Sequence, residues 1–306
     1  MQYRKLGRTG LNVSCMGLGG GGHSRLGMAK EKSEQDSIDI IRHAFDQGVN
    51  FFDTAEAYGT EPLLGKALSV YQRDQYILSS KKALWSEVDE QAVINSLERT
   101  LKQLGTDYID IYHLHGVTPD RYPKAMETAY PALVKLKEQG KIRFLGITEA
   151  FERDTSHQMF QNQFDANLFD VIMVGFSILN QSARHSVLPM AIEADLGVLV
   201  MFAVRRALSQ PARLDEIIQT LRAQGQIQAH LNDVLAAFEF AGANSIQDTA
   251  YRFCHYEPGC HVVLSGTSNI DHLKANLAAF DRDRLPQAVW DRFATLFQQV
   301  DAISGS

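Results

Sequence analysis

Short apolar runs alternate with longer amphipathic stretches from one end of the sequence to the other. The first amphipathic stretch begins after Ser33, a residue type that caps helix N-termini well, and it ends at Gly48. Within it, Ile38, Ile41 and Phe45 recur at the spacing of one helical face. This spacing predicts an amphipathic helix, and the short apolar runs elsewhere predict strands.

Eight short apolar runs have the length and residue content of buried strands. They lie near 16–18 and at 51–53, 76–80, 109–115, 142–147, 170–175, 197–202 and 261–264. The helical stretches that separate them include 93–104, about 124–139, 184–195, several between 213 and 255, and 269–279. This alternation predicts a parallel sheet, because each helical crossover returns the chain to the same end. Eight units favour a closed (β/α)8 TIM barrel, and an open doubly wound sheet is the alternative.

Three segments fall outside the eight units. Residues 2–13 have the pattern of a small β-hairpin with its turn at 7–10, and 281–300 predicts an extra C-terminal helix. The connection 207–228 is longer than the others, which suggests a lid or part of a substrate pocket. Because the composition does not change along the chain, we expect one domain over residues 1–306.

The overall composition narrows the functional classes without naming one. Of 306 residues, 45% are hydrophobic and 22% charged, and the formal net charge is −6. An acidic chain with scattered basic residues has no electrostatic reason to bind nucleic acid, and no apolar run approaches the ~18 residues of a membrane-spanning helix. Three cysteines are too few for a disulfide framework, and the first residues lack the apolar core of a signal peptide. We therefore expect a cytoplasmic protein with a small-molecule substrate.

Polar residues end three consecutive predicted strands, which is where (β/α)8 barrels carry their chemistry. Asp53 ends the second strand, Lys81 the third and His115 the fourth, and Tyr58 follows in the loop after Asp53. Because all strands of such a barrel point the same way, we expect these four side chains to meet at its mouth.

This set of groups suits proton transfer to a carbonyl oxygen. A free tyrosine has a pKa of about 10, and a nearby Lys81 ammonium should lower the pKa of Tyr58 by favouring the phenolate. Asp53 would keep Lys81 in place and charged, and His115 would donate a hydrogen bond to the substrate oxygen or orient it. Because none of the four groups supplies hydride, the pattern also predicts a redox cofactor.

Five motifs, in order along the chain, resemble those of the aldo-keto reductases. They are 52–59 (FDTAEAYG), 77–81 (ILSSK), 108–115 (YIDIYHLH), 140–146 (GKIRFLG) and 263–269 (VLSGTSN). The resemblance covers about residues 2–280. It implies the same eightfold barrel, an oxidoreductase activity, and NADP(H) or less often NAD(H) bound at the barrel mouth. It also implies catalytic roles for Asp53, Tyr58, Lys81 and His115.

The chain departs from the family pattern where the nicotinamide is expected. The family commonly has Ser-Asn after the fifth strand, and this chain has Thr148 and Glu149. We expect the Glu149 carboxylate to accept a hydrogen bond from the nicotinamide amide and the Thr148 hydroxyl to donate one to it. On the sixth strand, Met173 stands where the family commonly has Gln.

The resemblance places the cofactor phosphates at the start of the last barrel helix, close to two arginines. The residues expected there are Arg205, Arg206, Ser265, Gly266, Thr267, Ser268, His272 and Asn276. Gly266 and His272 replace the Lys and Arg of many NADP-preferring members, and His272 is charged only when protonated. We therefore predict a weak preference for NADP(H), with NAD(H) also accepted. A merely solvated basic pair is the alternative for Arg205 and Arg206.

Several of these residues allow other interpretations. Asp53 and Lys81 alone could be a structural ion pair. His113 and His115 share one face of a strand and, with Asp53, could bind the metal ion of a barrel hydrolase. A structural His113 that hydrogen-bonds inside the barrel is the preferred alternative. Trp85 could form a wall of the substrate pocket or simply pack.

Two further patterns resemble binding motifs but lack the required context. The segment 17–22 satisfies the dinucleotide-binding fingerprint, but no helix follows it at once, so we expect a loop at the rim of the barrel mouth. Residues 254–255 and 260–261 are two Cys-His pairs like those of zinc sites. They flank the turn into the last strand, away from the catalytic end, and we interpret the pattern as chance.

Taken together, the sequence predicts an enzyme that transfers hydride between NAD(P)(H) and a carbonyl or alcohol substrate. The carbonyl compound would be an aldehyde, ketone or sugar, and Tyr58 would be the general acid and base. The alternative is a regulatory protein that senses the nucleotide on the same fold with little or no catalysis.

Overall fold

The computed structural model describes residues 1–30, 32–85 and 88–306. Over this part of the chain, eight parallel strands close into a barrel in which the last strand pairs with the first. The strands are β1 (Tyr3–Lys5) and β2 (Asn12–Ser14) of an antiparallel hairpin, followed by the barrel strands β3 (Met16–Gly19), β4 (Phe51–Asp53), β5 (Ile77–Ala83), β6 (Ile109–Val117), β7 (Ile142–Glu149), β8 (Val171–Gly175), β9 (Gly197–Met201) and β10 (Val262–Ser265). The predicted closed barrel is confirmed, and the open sheet is excluded.

Helices follow the strands and cover the outside of the barrel. They are α1 (Glu34–Asp46), α2 (Glu61–Leu68), α3 (Glu90–Leu104), α4 (Tyr122–Thr128), α5 (Tyr130–Glu138), α6 (Gln158–Asn162), α7 (Ala183–Glu193), α8 (Arg206–Ser209), α9 (Pro211–Ala223), α10 (Leu231–Phe240), α11 (Ile246–His255), α12 (Ile270–Phe280) and α13 (Gln287–Phe297). Ser33 caps α1 as predicted, accepting a hydrogen bond from the Asp36 backbone. None of the helices in the described ranges is both long and apolar enough to cross a membrane.

Two helix predictions need correction, and proline is the reason in both. The single helix expected at about 124–139 is two helices, α4 and α5. Pro131 has no backbone N–H for a continuous helix, and its ring would clash with the carbonyl four residues earlier. The C-terminal helix α13 begins only after Pro286, so it is shorter than the predicted 281–300.

The N-terminal hairpin closes the lower end of the barrel. Its residues Leu6, Leu11 and Val13 are buried in one apolar cluster with side chains from the barrel interior. Gly7, in the hairpin turn, has φ +45°, and a Cβ there would lie 2.5 Å from the Gly197 backbone nitrogen. This close approach therefore requires glycine. With the lower end filled, the C-terminal ends of the strands are left as the mouth.

Arg4 ties the hairpin to the bottom of the barrel. Its guanidinium donates hydrogen bonds to Cys15 Sγ (3.0 Å), to the Cys260 carbonyl (2.6 Å) and to His255 Nδ1 (3.1 Å). His261 Nδ1 accepts from the Val198 backbone (3.0 Å). The two Cys-His pairs thus have separate structural partners. In the described part of the chain, no three His, Cys, Asp or Glu side chains group as metal ligands.

Acid is expected to destabilise this lower end through His255. Burial, and then the Arg4 charge, lowers the pKa of His255 from 6.5 to about 4. The folded state therefore binds this proton less well than the unfolded state, so its contribution to stability is complete above pH 6.5 and is lost as pH falls toward 4. The thermal unfolding midpoint, measured from pH 7 to pH 5, should decrease. His255→Gln keeps an acceptor for Arg4 and should flatten part of that decrease, and an unchanged slope in this variant would contradict the assignment.

Candidate active site

A cavity of about 360 Å³ opens at the C-terminal ends of the barrel strands. It is lined by Gly22, Tyr58, Trp85, His115, Gly116, Thr148, Glu149, Ala150, Phe151, Glu152, Arg153, Met173, Met201, Phe202 and Arg205. Two of the predicted catalytic side chains, Tyr58 and His115, therefore face the same space. Trp85 is one wall, with its ring centre 5.6 Å from that of His115. Aromatic and aliphatic side chains make up much of the rest of the lining.

Asp53 and Lys81 form a buried ion pair beneath this cavity. The Lys81 ammonium donates to both Asp53 carboxylate oxygens and to the Thr54 carbonyl, each at 2.6 Å. Ser79 Oγ also donates to Asp53 (2.7 Å). Burial raises the pKa of Asp53 and lowers that of Lys81, and their mutual contact opposes both shifts. Strands β4 and β5 are direct neighbours, which brings the two side chains together.

Tyr58 and His115 meet at the floor of the cavity. The Tyr58 hydroxyl oxygen lies 3.2 Å from His115 Nε2, and Lys81 Nζ lies 5.1 Å from the centre of the Tyr58 ring. Burial, and then the Lys81 charge, lowers the pKa of His115 to about 3, so the imidazole is neutral at physiological pH. Its Nδ1 is buried without a partner among the described residues. A bare lone pair there costs less than an unpaired N–H, so we assign the proton to Nε2, which faces Tyr58.

The expected effect of Lys81 on Tyr58 is not what the structure shows. The pKa of Tyr58 is raised above its usual value of 10, because burial disfavours the phenolate and the Asp53 charge repels it. Lys81 does not reverse this shift, since its charge is matched by Asp53 at 2.6 Å. Tyr58 is therefore a neutral phenol, which is the proton-donating form.

The loop that carries Tyr58 is held by residues that the sequence did not single out. Glu56 accepts hydrogen bonds from Lys82 Nζ (2.7 Å) and Ser96 Oγ (2.5 Å), which join the loop to β5 and α3. On the other side, a Cβ at Gly21 would lie 2.7 Å from the Tyr58 ring. The phenol is thus packed between a glycine backbone and an anchored turn. The segment 17–22 ends β3 and continues as a loop at the barrel mouth. It is followed by a kinked 3-10 turn at Arg25–Lys30, whereas a Rossmann motif would require an α-helix at once.

The strand ends beyond His115 carry the residues expected to hold the nicotinamide. Thr148 and Met173 are paired on β7 and β8, and both line the cavity. Thr148 Oγ1 accepts a hydrogen bond from the Gly116 backbone (2.8 Å), which leaves its hydroxyl proton free to donate. Glu149 also lines the cavity, but its side chain has no exposed surface. Its predicted direct contact with a nicotinamide amide therefore does not fit the structure.

The two arginines after β9 point to different partners. Arg205 lines the cavity, lies 3.9 Å above the Phe202 ring and pairs with Glu152 (3.0 Å). Arg206 Nη2 lies 3.3 Å from His23 Nδ1 and is not part of the cavity lining. The segment 207–228 contributes nothing to that lining either. It forms α8 and α9, whose apolar face packs into the core, so the predicted lid or pocket wall is not observed.

The predicted phosphate loop follows β10 and leads into α12. Asn269 caps this helix by accepting from the backbone N–H groups of Asp271 (2.8 Å) and His272 (3.2 Å). Ser265 Oγ is buried and accepts from Tyr251 and Asn276, so it supports the loop instead of facing a phosphate. Gly266 and His272 are exposed, and Thr267 and Ser268 are mostly buried.

His113 is fully buried, with Nε2 3.1 Å from Ser79 Oγ. A Cβ on the neighbouring Gly146 would lie 2.2 Å from its Nδ1, so the ring fills the space that this glycine leaves. Burial, and then the Lys81 charge, lowers the pKa of His113 well below its usual value. These contacts support the structural interpretation of His113.

Comparison with known protein families matches residues 15–297 to the Aldo/keto reductase family. The chain belongs to this family. Similar proteins include the L-galactose dehydrogenase of Arabidopsis thaliana, 38% identical over 157 residues, and the aldo-keto reductase YhdN of Bacillus subtilis, 34% identical over 221 residues. The first match spans 48% of this chain and 48% of the relative, and the second spans 68% and 63%. The chain thus matches less than two thirds of the length of either relative.

The fold of the chain also resembles solved aldo/keto reductase structures. One is an aldo/keto reductase from Klebsiella pneumoniae in complex with NADP and acetate, with a TM-score of 0.73 and 24% identity. That alignment covers 98% of this chain and 97% of the other. The family consists of NAD(P)H-dependent oxidoreductases.

The residues of this aldo/keto reductase fit a nicotinamide dinucleotide. Gly22 lines the cavity, and Gly266 lies beside the same glycine segment, where a Cβ would be 3.0 Å from the Gly19 carbonyl oxygen. The cavity and the phosphate loop therefore both border the glycine segment 17–22. In the cavity, the Thr148 hydroxyl and the Arg205 guanidinium are donors, as an anionic dinucleotide requires.

Proposed function

We propose that this aldo/keto reductase interconverts a carbonyl compound and an alcohol with NADP(H) or NAD(H), using Tyr58 as the proton donor. The observation that supports this most directly is the Tyr58 hydroxyl, which lies 3.2 Å from Nε2 of a neutral His115 at the floor of the cavity. The buried Asp53–Lys81 pair lies directly behind it.

Each of these residues has a definite task in carbonyl reduction. When bound, a nicotinamide cofactor would supply the hydride that the carbonyl carbon accepts. Tyr58 donates its proton to the carbonyl oxygen as charge develops there, and its raised pKa keeps it protonated until that moment. The Nε2–H of His115 donates a hydrogen bond to the same oxygen and orients it. The Lys81 ammonium, paired with Asp53 and 5.1 Å from the centre of the Tyr58 ring, offsets the repulsion that the Asp53 carboxylate would exert on the phenolate that remains.

The substrate that the cavity suits is a small aldehyde, ketone or sugar. Trp85 offers a half-exposed aromatic face next to His115, and Met201 and Phe202 supply apolar surface. One similar protein is named for action on L-galactose, and its match includes about half of this chain. An aldose therefore belongs in any substrate screen, beside aliphatic and aromatic aldehydes.

Turnover of such a panel tests the proposal directly. The protein is mixed with NADPH or NADH and each carbonyl compound, and with NADP+ or NAD+ and each alcohol, while the nicotinamide absorbance is followed. We expect turnover with at least one class of substrate in at least one direction. Tight binding of the dinucleotide without any turnover would contradict the proposal and favour a nucleotide-sensing regulatory role.

A weak preference for NADP(H) is expected from the phosphate loop. Gly266 brings no charge, and the backbone N–H groups of Asp271 and His272 are already capped by Asn269. The donors that remain at this loop support a kcat/KM with NADPH about tenfold higher than with NADH, which corresponds to ~1.4 kcal/mol. The exposed imidazole of His272 is one of these donors.

Steady-state kinetics with NADPH and NADH measure this preference. His272→Ala removes the imidazole donor, and it should lower the ratio of the kcat/KM value with NADPH to that with NADH. A clear NADH preference in the unmodified protein would contradict the assignment of the phosphate loop. An unchanged ratio in His272→Ala would exclude only His272.

A further inference from the structure

Glu149 is the last residue of β7, and its carboxylate is enclosed behind the cavity wall. Its Oε1 accepts a hydrogen bond from the Gly175 backbone N–H (2.7 Å). Its two oxygens lie 3.0 and 2.9 Å from Nδ1 of His157. Neither of these two side chains has exposed surface. The His157 ring stacks on Phe151 at 5.3 Å, and Phe151 in turn lines the cavity.

The contacts of His157 indicate that this pair carries one net negative charge. A cationic imidazole has an N–H on both nitrogens, but His157 Nε2 is buried with no hydrogen-bond partner in the described part of the chain. A buried N–H without a partner is costly, so these contacts favour an imidazole with its proton on Nδ1, where it donates to Glu149, and none on Nε2. Burial raises the pKa of Glu149, and the contact with His157, followed by the hydrogen bond from Gly175, opposes that shift. Two donors that converge on one acceptor-only group favour its ionised form.

The charged groups near Glu149 do not cancel its negative charge. Asp154 adds a second carboxylate, which accepts from the backbone N–H groups at the start of α6. Arg205 is paired with Glu152 across the cavity wall (3.0 Å). Arg153 lines the cavity but forms no ion pair with Glu149 in the described residues. The Glu149 charge is therefore balanced by hydrogen bonds and not by a cation.

We propose that Glu149 is a fixed negative charge that makes the protein bind the oxidised cofactor in preference to the reduced one. The inference rests on the proposed function, in which the nicotinamide must share the cavity with Tyr58, and the Glu149 carboxylate lies behind the wall of that same cavity. The oxidised nicotinamide ring is cationic and the reduced ring is neutral. A buried carboxylate acts in a medium of low dielectric constant, where it attracts the cation strongly and leaves the neutral ring almost unaffected.

This charge would also influence the reaction. Hydride transfer to the carbonyl converts the neutral ring into the cation, so the ionised Glu149 stabilises the state that forms. Reduction of the carbonyl is then favoured on the protein, and release of the oxidised cofactor is slowed. Glu149 is therefore a positioning residue, since its carboxylate acts on the cofactor through its electric field and does not touch it.

The test is the ratio of two dissociation constants, measured by equilibrium titration without substrate. In the unmodified protein, NADP+ is expected to bind more tightly than NADPH. Glu149→Gln keeps the size of the side chain and an oxygen for the Gly175 N–H but removes the charge. It should raise the dissociation constant of NADP+ relative to that of NADPH by about tenfold. An unchanged ratio in a folded variant would overturn the proposal.

Two control variants separate this effect from others. Glu152→Gln removes another cavity-wall carboxylate, but its side chain is 55% exposed and its charge is screened. Its ratio should stay within about twofold of the unmodified protein, because NADP+ and NADPH carry the same phosphates. His157→Gln keeps an N–H donor for Glu149 and should leave the ratio unchanged. A shift of the His157→Gln ratio toward NADP+ would show that His157 is cationic and that the pair is neutral, which overturns the proposal.

The outcome does not depend on the stability of one variant. If Glu149→Gln does not fold, the unmodified protein still decides, because tighter binding of NADPH than of NADP+ would contradict the proposed preference. Failure of both cofactors to bind the unmodified protein would instead refute the proposed function. The two failures are therefore distinguishable.

Discussion

Replacing Tyr58 by phenylalanine is expected to lower turnover by about 10²–10⁴-fold. The phenol is the group proposed to donate a proton to the carbonyl oxygen, and the neighbouring His115 is neutral, so it does not replace this acid. The Tyr58→Phe ring keeps its packing against Gly21, because only the hydroxyl is removed. The measurement is kcat with the best substrate of the panel, with deuterated cofactor to establish that hydride transfer limits the rate.

The dissociation constant of the cofactor provides the control for Tyr58→Phe. It should change by no more than a few-fold, because the variant alters no group of the phosphate loop. If Tyr58→Phe kept more than about a tenth of the original kcat while hydride transfer limits the rate, another residue would be the acid. A large loss of cofactor affinity would point instead to a disturbed cavity.

Asp53→Asn is expected to reduce both stability and activity. Asp53 is the carboxylate partner of Lys81, and all three ammonium contacts are buried. Removing one partner of such a pair leaves an uncompensated charge, which costs about 3–5 kcal/mol of unfolding free energy. Activity should decrease as well, because Lys81 either loses its proton or moves away from the Tyr58 ring. Denaturant unfolding and kcat are measured on the same preparation.

The double variant Asp53→Asn/Lys81→Met separates the two effects. It removes both charges, so it should recover much of the unfolding free energy lost in Asp53→Asn. It should not recover kcat, because the charge near Tyr58 is still missing. Recovery of both would make the ion pair purely structural. A loss of less than about 1 kcal/mol in Asp53→Asn would contradict the buried pair itself.

The sequence carries enough information to predict most of the fold and the centre of the site. The alternation of apolar runs and amphipathic stretches is repeated eight times, and that repetition led to the barrel and to its mouth. Asp53, Lys81 and His115 could be placed there because strand ends in a parallel barrel have a common direction. Local sequence patterns also correctly predicted the N-cap Ser33 and the hairpin turn near Gly7.

Side chains whose partners are distant in the sequence could not be predicted in the same way. Glu56 is anchored by residues 26 and 40 positions later, and Glu149 is turned inward by Gly175, which lies 26 positions later on the next strand. His157 lies only eight residues from Glu149 but reaches it through a left-handed backbone, with φ +63°. No periodicity in the sequence indicates such a contact.

What the sequence determined by itself is the order of strands and helices and the residue types at the barrel mouth, because both follow from local periodicity and strand polarity. What only the tertiary structure decided is the charge state and direction of those side chains. The pKa of Tyr58 is raised and not lowered, because burial and Asp53 outweigh a Lys81 that is already paired. Glu149 faces inward because the Gly175 N–H and His157 satisfy its carboxylate there. Burial and pairing depend on distances between strands, and those distances exist only after the barrel has closed.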